Sequence, residues 1–251
     1  MIPTYTFFAV DKGHMTLIQF SNGINMMVDC RSSPSRPSPL QYLQTKVRTL
    51  DFVVITHPHQ DHLTGIKDVC EHYRPRHLWH NGRYFRPDPV YEDWSYYERL
   101  RTGKISYCSP EHVRSGKTAT IGDSRIYLAS PLIPNLEGTS EDENNNGIIL
   151  SIITGNAKVV LTGDTEQDQW SAVDLSTLAK PSVFLASHHG RESGFSAEAM
   201  AAIKPQHIVI SDGEPADTDA TEKYRKIAPV TTTREKSIVL RPAEELAGVA
   251  R

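Results

Sequence analysis

The sequence specifies an α/β fold, and three observations predict it. Wholly apolar runs at residues 52–55, 159–161 and 183–186 have the length and composition of strands buried on both faces. Elsewhere lie stretches with apolar residues three and four apart, as at Leu40, Leu43, Val47 and Leu50, the spacing of one helix face. Each of the three runs leads into histidine or aspartate, and the carboxyl ends of strands are where α/β sheets place their ligand groups.

From the start of the chain, residues 4–10, 15–20 and 25–30 cluster β-branched and apolar side chains, with Gly13 and Asn22-Gly23 between them. They predict a meander of three strands, because Asn-Gly can take positive φ at both central positions of a tight hairpin. Residues 32–39 hold three prolines and four serines and read as a surface loop. A helix over 40–50 follows, then the strand 52–55 and a helix over 63–73 that stops before Pro75. His77 and His80 flank Leu78-Trp79 on a short strand, and His112 lies in a polar segment. All three are expected to be structural or exposed, with His80 the first alternative ligand.

The stretch 83–101 interleaves Phe85, Trp94 and tyrosines with Arg83, Arg86, Arg99 and Arg101. Such a pattern can stack bases, but an amphipathic helix covering the sheet is the preferred reading. A hairpin over Gly122-Asp123 joins strands at 118–121 and 125–129, and residues 133–146 form a polar, acidic loop expected to be mobile. The strand 148–153, a helix over 167–178 and a strand beginning at Pro181 come next. A strand at 207–211, a short helix over 221–227, a closing pair at 230–233 and 238–240, and a fraying tail at 244–251 complete the chain.

Composition narrows the function. A formal charge of −3 gives no electrostatic footprint for gripping long nucleic acid. Cys30, Cys70 and Cys108 are odd in number, without a C-x-x-C pair, and read as ordinary buried thiols. No run approaches the length of a membrane helix, and residues 1–10 lack the pattern of a secretory signal, so cytoplasmic residence and no membrane partner are expected. The ligand-rich motifs run from 57 to 190 and have to meet in space, which makes 1–251 one domain.

The centre of the chain is Thr56-His57-Pro58-His59-Gln60-Asp61-His62. Neutral imidazoles converging on one point lose water, whereas a divalent cation there turns the same cluster into coordinate bonds. His57 and His59 are two apart, so on an extended segment they point the same way and can grip one ion. Asp61 and His62 stand where a helix should begin and can reach a second ion. Nitrogen and oxygen donors without cysteine suit zinc, manganese or iron at an open, hydrolytic site.

His57-Pro58-His59-Gln60-Asp61-His62 resembles the HxHxDH motif of the metallo-β-lactamase superfamily. Thr162-Gly163-Asp164 resembles that superfamily's later, metal-bridging aspartate. Ser187-His188-His189-Gly190 resembles the HHG element of the branch that includes the nuclease-like domains of DNA-uptake competence proteins. The resemblance implies a four-layer αββα sandwich of two β-β-α halves, with two divalent ions, zinc or manganese, at one edge.

It implies His57, His59 and Asp164 for the first ion and Asp61, His62, Asp164 and His189 for the second. His188 is expected to handle substrate or protons, and Asp61 to orient the attacking water or accept its proton. Where lactamase-like relatives carry a third histidine for the first ion, this chain has Asn144-Asn145-Asn146, so that ion is expected to bind less tightly. Asn144, Asn145 and His14, which occupies the aspartate position of a V-G-x-G-D-like turn, are candidate substrate contacts. The substrate the resemblance implies is a phosphodiester, small or single-stranded. A lactone, thioester or β-lactam at the same ions is the alternative, and a non-catalytic binding module the third reading. No protein partner is assigned.

Overall fold

Fourteen strands among the described residues assort into two seven-stranded sheets. The computed structural model describes residues 1–82, 85–129, 140–215 and 217–242. In the first sheet β1 (Thr4–Phe7), β2 (Thr16–Gln19) and β3 (Asn25–Val28) form the expected antiparallel meander. β4 (Phe52–Ile55), β5 (His77–His80) and β6 (Ser109–His112) then extend it in parallel. The second sheet repeats the plan. β7 (Thr118–Ile121), β8 (Ser124–Leu128), β9 (Leu150–Thr154) and β10 (Ala157–Leu161) are antiparallel, and β11 (Val183–Leu185), β12 (Ile208–Ile210) and β13 (Val230–Thr232) continue in parallel.

Side-chain alternation explains the layers. Val54 points between the sheets, where it joins Val28, Leu150, Val159, Leu161 and Leu185 in one core, whereas Val53 and Ile55 point outward. Each such fully buried aliphatic contributes about 1.5–3 kcal/mol. Outside the first sheet, α1 (Pro39–Gln44), α2 (Gln60–Leu63), α3 (Ile66–Tyr73) and α4 (Glu92–Arg101) bury Leu43, Leu63, Val69, Tyr97 and Leu100. After α5 (Ser140–Asn145), α6 (Ala197–Ile203) and α7 (Thr221–Arg225) cover the second sheet with Met200, Ile203 and Tyr224. The result is the αββα sandwich. Among the described residues no helix is long and apolar enough to cross a membrane, and the three cysteines are free and buried.

Several local expectations are corrected. The helix read over 40–50 is only α1, which starts at a Ser38–Gln41 capping box. The helix read over 63–73 is split at Gly65, whose φ of 120° lies outside the helical region. Residues 167–178 form two 3₁₀ segments, because the Asp174 side chain captures the Ser176 N–H and starts a second turn. The strands at the end of the chain do not pair with each other: β13 stays with β12, while β14 (Ile238–Leu240) crosses to β1. Part of the acidic loop is helix α5; residues 133–139 of that loop, Arg83 and the tail at 244–251 lie outside the described residues. α4 buries Trp94, Tyr96 and Tyr97, as the covering-helix reading requires.

Candidate metal centre

Parallel strands share a carboxyl end, and the motifs gather there. Thr56 follows β4, Asp164 follows β10, His188 and His189 follow β11, and Ser211 follows β12. Main-chain hydrogen bonds lock the loops together: Ile148 N–H to Thr56 carbonyl at 3.0 Å, His188 N–H to Gly163 carbonyl at 3.2 Å, and His14 N–H to Asp61 carbonyl at 3.1 Å.

His57 Nε2 and His59 Nδ1 come within 3.1 Å, as the two-residue spacing predicts. Asp164 sits opposite. Its Oδ1 is 3.2 Å from His62 Nε2, and its Oδ2 is 3.2 Å from His189 Nε2 and 3.8 Å from His57 Nε2. Asp61 Oδ2 lies 3.6 Å from His189 Nε2, and the half-exposed Lys12 ammonium is 3.4 Å from the same oxygen. The structure therefore brings His57, His59, Asp61, His62, Asp164 and His189 into one cluster. His80 is elsewhere, its Nδ1 accepting from Gly82 N–H and its ring stacked on His112.

Asp29, a residue the sequence did not single out, organises this cluster from behind. Fully buried, its carboxylate accepts from Thr56 N–H and Thr56 hydroxyl (both 2.8 Å), from His14 Nδ1 (2.9 Å) and from His62 Nδ1 (2.7 Å). The Thr56 hydroxyl, its own proton committed to Asp29, can only accept from His57 Nδ1 at 3.1 Å. His189 Nδ1 likewise donates to the Ser211 carbonyl at 3.2 Å. Three rings thus carry their protons on Nδ1, leaving the Nε2 lone pairs of His57, His62 and His189 facing Asp164. His14 is part of this support, corrected from the expected substrate contact: it is buried, with its Nε2 accepting from the Thr16 hydroxyl at 2.8 Å.

Lone pairs and carboxylates aimed at one another repel unless positive charge lies among them. The electrostatics of two groups agree with this. Burial disfavours a charged His62, yet the Asp164 and Asp29 carboxylates raise its pKa well above the usual imidazole value. Burial pushes the Asp164 carboxyl up, yet His189 and His62 hold it well below the usual carboxylate range. Burial also keeps His57 neutral, with His62 and His59 adding to the effect. Converging imidazole nitrogens and ionised oxygens, with no thiolate, fit divalent cations at these residues, a cation taking the place of the proton that His62 otherwise holds.

The histidine pair is not extended. His188 and His189 both occupy the left-handed region, with φ of 49° and 57°, so their rings turn to one side instead of opposite faces. His188 Nε2 stands 3.8 Å from Asp164 Oδ2, and its Nδ1 is 2.8 Å from the Ser193 hydroxyl. Gly190 completes the turn with φ of 76°, and a Cβ there would come within 2.7 Å of Ile210 Cγ2. Gly190→Ala should lower stability by about 1–3 kcal/mol. A lower urea midpoint with unchanged m-value checks this; an unaltered midpoint contradicts it.

Glu166 is a second residue the sequence did not single out. It receives Asn144 Nδ2 at 3.0 Å and Asn145 Nδ2 at 3.5 Å, and its N–H donates to Asn145 Oδ1 at 3.0 Å. Two of the three asparagines in the place of the third histidine, Asn144 and Asn145, are therefore engaged with Glu166. Asn144 Oδ1 and His59 Nε2 are nevertheless buried without a hydrogen-bond partner.

The family model described as "Metallo-beta-lactamase superfamily" matches residues 9–205. The chain is 24% identical over 169 residues to ComE operon protein 3 of Bacillus subtilis (strain 168), covering 67% of this chain and 20% of that protein. It is 28% identical over 180 residues to the anti-Pycsar protein Apyc1 of Bacillus phage vB_BsuM-Goe3, covering 67% of this chain and 66% of that one. The chain thus spans one fifth of the first relative and just under two thirds of the second. The crystal structure of the metallo-beta-lactamase fold protein YhfI from Bacillus subtilis superposes with a TM-score of 0.62 at 16% identity, over 95% of this chain and 99% of that one. With the motifs, the sandwich and the family match in agreement, this chain belongs to the metallo-beta-lactamase superfamily.

Proposed function

We propose that the chain is a metal-dependent hydrolase of phosphodiesters, acting on a small or single-stranded nucleotide-like ester. The observation that carries the reading is Asp164, a buried carboxylate set among the Nε2 atoms of His57, His62 and His189. Two divalent ions held by His57, His59, Asp61, His62, Asp164 and His189 would acidify water and offset charge on phosphoryl oxygens. Asp61 stands at the mouth of the cluster, where it can take up the proton released on attack. Lys12, beside Asp61 and half exposed, supplies a cation for a non-bridging phosphate oxygen. A net charge of −3 favours a short substrate over a long duplex, and the HHG element supports the phosphodiester class through its resemblance to the competence branch.

The test is turnover by zinc- or manganese-loaded protein of bis-p-nitrophenyl phosphate, cyclic nucleotides and single-stranded DNA, beside p-nitrophenyl acetate, a lactone and a β-lactam. Phosphodiester hydrolysis exceeding carboxyl-ester hydrolysis is expected. Turnover confined to the carboxyl substrates moves the reading to the alternative class, and a purified protein that holds no metal and turns over none of them points to a binding module.

A further inference from the structure

The first ion is one donor short on the reading above. His57 and His59 converge on it, Asp164 faces it, and Asn144 and Asn145 direct their Nδ2 groups to Glu166, which leaves at most the neutral Asn144 Oδ1 where an imidazole would stand. Another imidazole nitrogen, His188 Nε2, also faces Asp164. His188 Nε2 is 3.8 Å from Asp164 Oδ2, the same oxygen and the same distance as His57 Nε2. Its side chain is 17% exposed, so the ring lines the cleft instead of facing bulk water.

Two further features mark this ring as placed. The backbone holds His188 at φ 49° and ψ 47°, a conformation unfavourable for a residue with a Cβ, and in it the rings of His188 and His189 both face Asp164 Oδ2. Behind the ring, Nδ1 meets the Ser193 hydroxyl at 2.8 Å and Glu166 Oε1 at 3.6 Å. Glu166 is itself fixed by Asn144 and Asn145. A carboxylate behind Nδ1 favours the proton there and leaves Nε2 with its lone pair directed at Asp164, the arrangement of a metal-binding histidine.

We propose that His188, through Nε2, is the third imidazole of the first ion, with Glu166 positioning its ring. The role differs from the proton handling expected for this residue from sequence. It rests on the two-ion reading above and completes it: His57, His59 and His188 with Asp164 on one side, Asp61, His62 and His189 with Asp164 on the other. Each ion then has four donors from the chain, in place of the unequal pair the missing histidine implied.

Titrating ZnCl₂ or MnCl₂ into the stripped full chain, followed calorimetrically and by elemental analysis, tests this without any substrate. The wild-type chain should bind two ions with affinities within about tenfold of each other. His188→Asn removes the imidazole and keeps a residue that tolerates positive φ. It should retain one ion at wild-type affinity and lose the other by roughly a hundredfold. Glu166→Gln should weaken that same ion by about 10–100-fold, and it serves where His188→Asn changes the far-ultraviolet circular dichroism. Two ions bound by both variants at wild-type affinity overturn the assignment, even if His188→Asn abolishes turnover, since that pattern belongs to a proton donor. A wild-type chain that binds no ion overturns this assignment and the two-ion reading together.

Discussion

Asp164→Asn should reduce phosphodiester turnover by at least roughly a thousandfold, equivalent to about 4 kcal/mol of lost transition-state stabilisation. The reason lies in what the carboxylate faces. Its two oxygens meet His62 and His189 at 3.2 Å, and the imidazoles and Asp61 around it are held for a cation between them. An amide halves the acceptor capacity at that point and removes the negative charge shared by both halves of the cluster. Bound metal per chain should fall together with kcat/KM, and elemental analysis on the same preparations reads this directly. Asp164→Asn with full metal content and full turnover would remove Asp164 from the bridging role.

Asp29→Asn should be nearly as damaging, through stability as well as activity. The carboxylate is fully buried and accepts from two imidazoles, a hydroxyl and an amide. An amide NH₂ in its place would confront at least one of those donors. Removing one partner from such a buried network costs about 3–5 kcal/mol, and at roughly 2–4 °C per kcal/mol for a chain near this size the melting temperature should drop by about 6–20 °C. Metal affinity should fall by about 10–100-fold, because His62 and Thr56, and through Thr56 the ring of His57, lose the acceptor that sets their protons.

The pH dependence follows from the same carboxylate. Burial raises the Asp29 pKa, but His62 and His14 lower it further, to well below the usual carboxylate range. A depressed folded-state pKa contributes stability that is present above the unfolded value of about 4 and is lost as pH falls below it. The stability gap between wild type and Asp29→Asn should therefore narrow on acidification below about pH 4. Urea midpoints across that range measure it, and a constant gap contradicts the assigned role.

What sequence reasoning could see depended on whether the signal was local. The apolar runs before His57, Asp164 and His188 were visible because strands buried on both faces need nothing but apolar side chains. Asp29 ends the run of β3 in the same manner, a single acid after Asn25–Val28, and that position was the clue that could have found it. Glu166 offered none: its partners Asn144 and Asn145 lie some twenty residues away, and lone surface acids are common. Nor did residue type announce positive φ at His188 and His189, since only Gly190 in that turn is a residue that prefers it. The separation of β13 from β14 was equally hidden. Which sheet a short strand joins is decided by the partner edge it meets, and Ile238–Leu240 finds β1 at the far end of the chain.

The donors at the rim come from both sheets: His57, His59, Asp61 and His62 follow β4 of the first, and Asp164, His188 and His189 follow β10 and β11 of the second. A cation seated among them is a cross-link between the two leaves of the sandwich, much as a disulfide would be but reversible. Because such a cation would bind only the folded arrangement, its binding free energy would add to the packing that already holds the leaves together, and stability would rise with metal concentration.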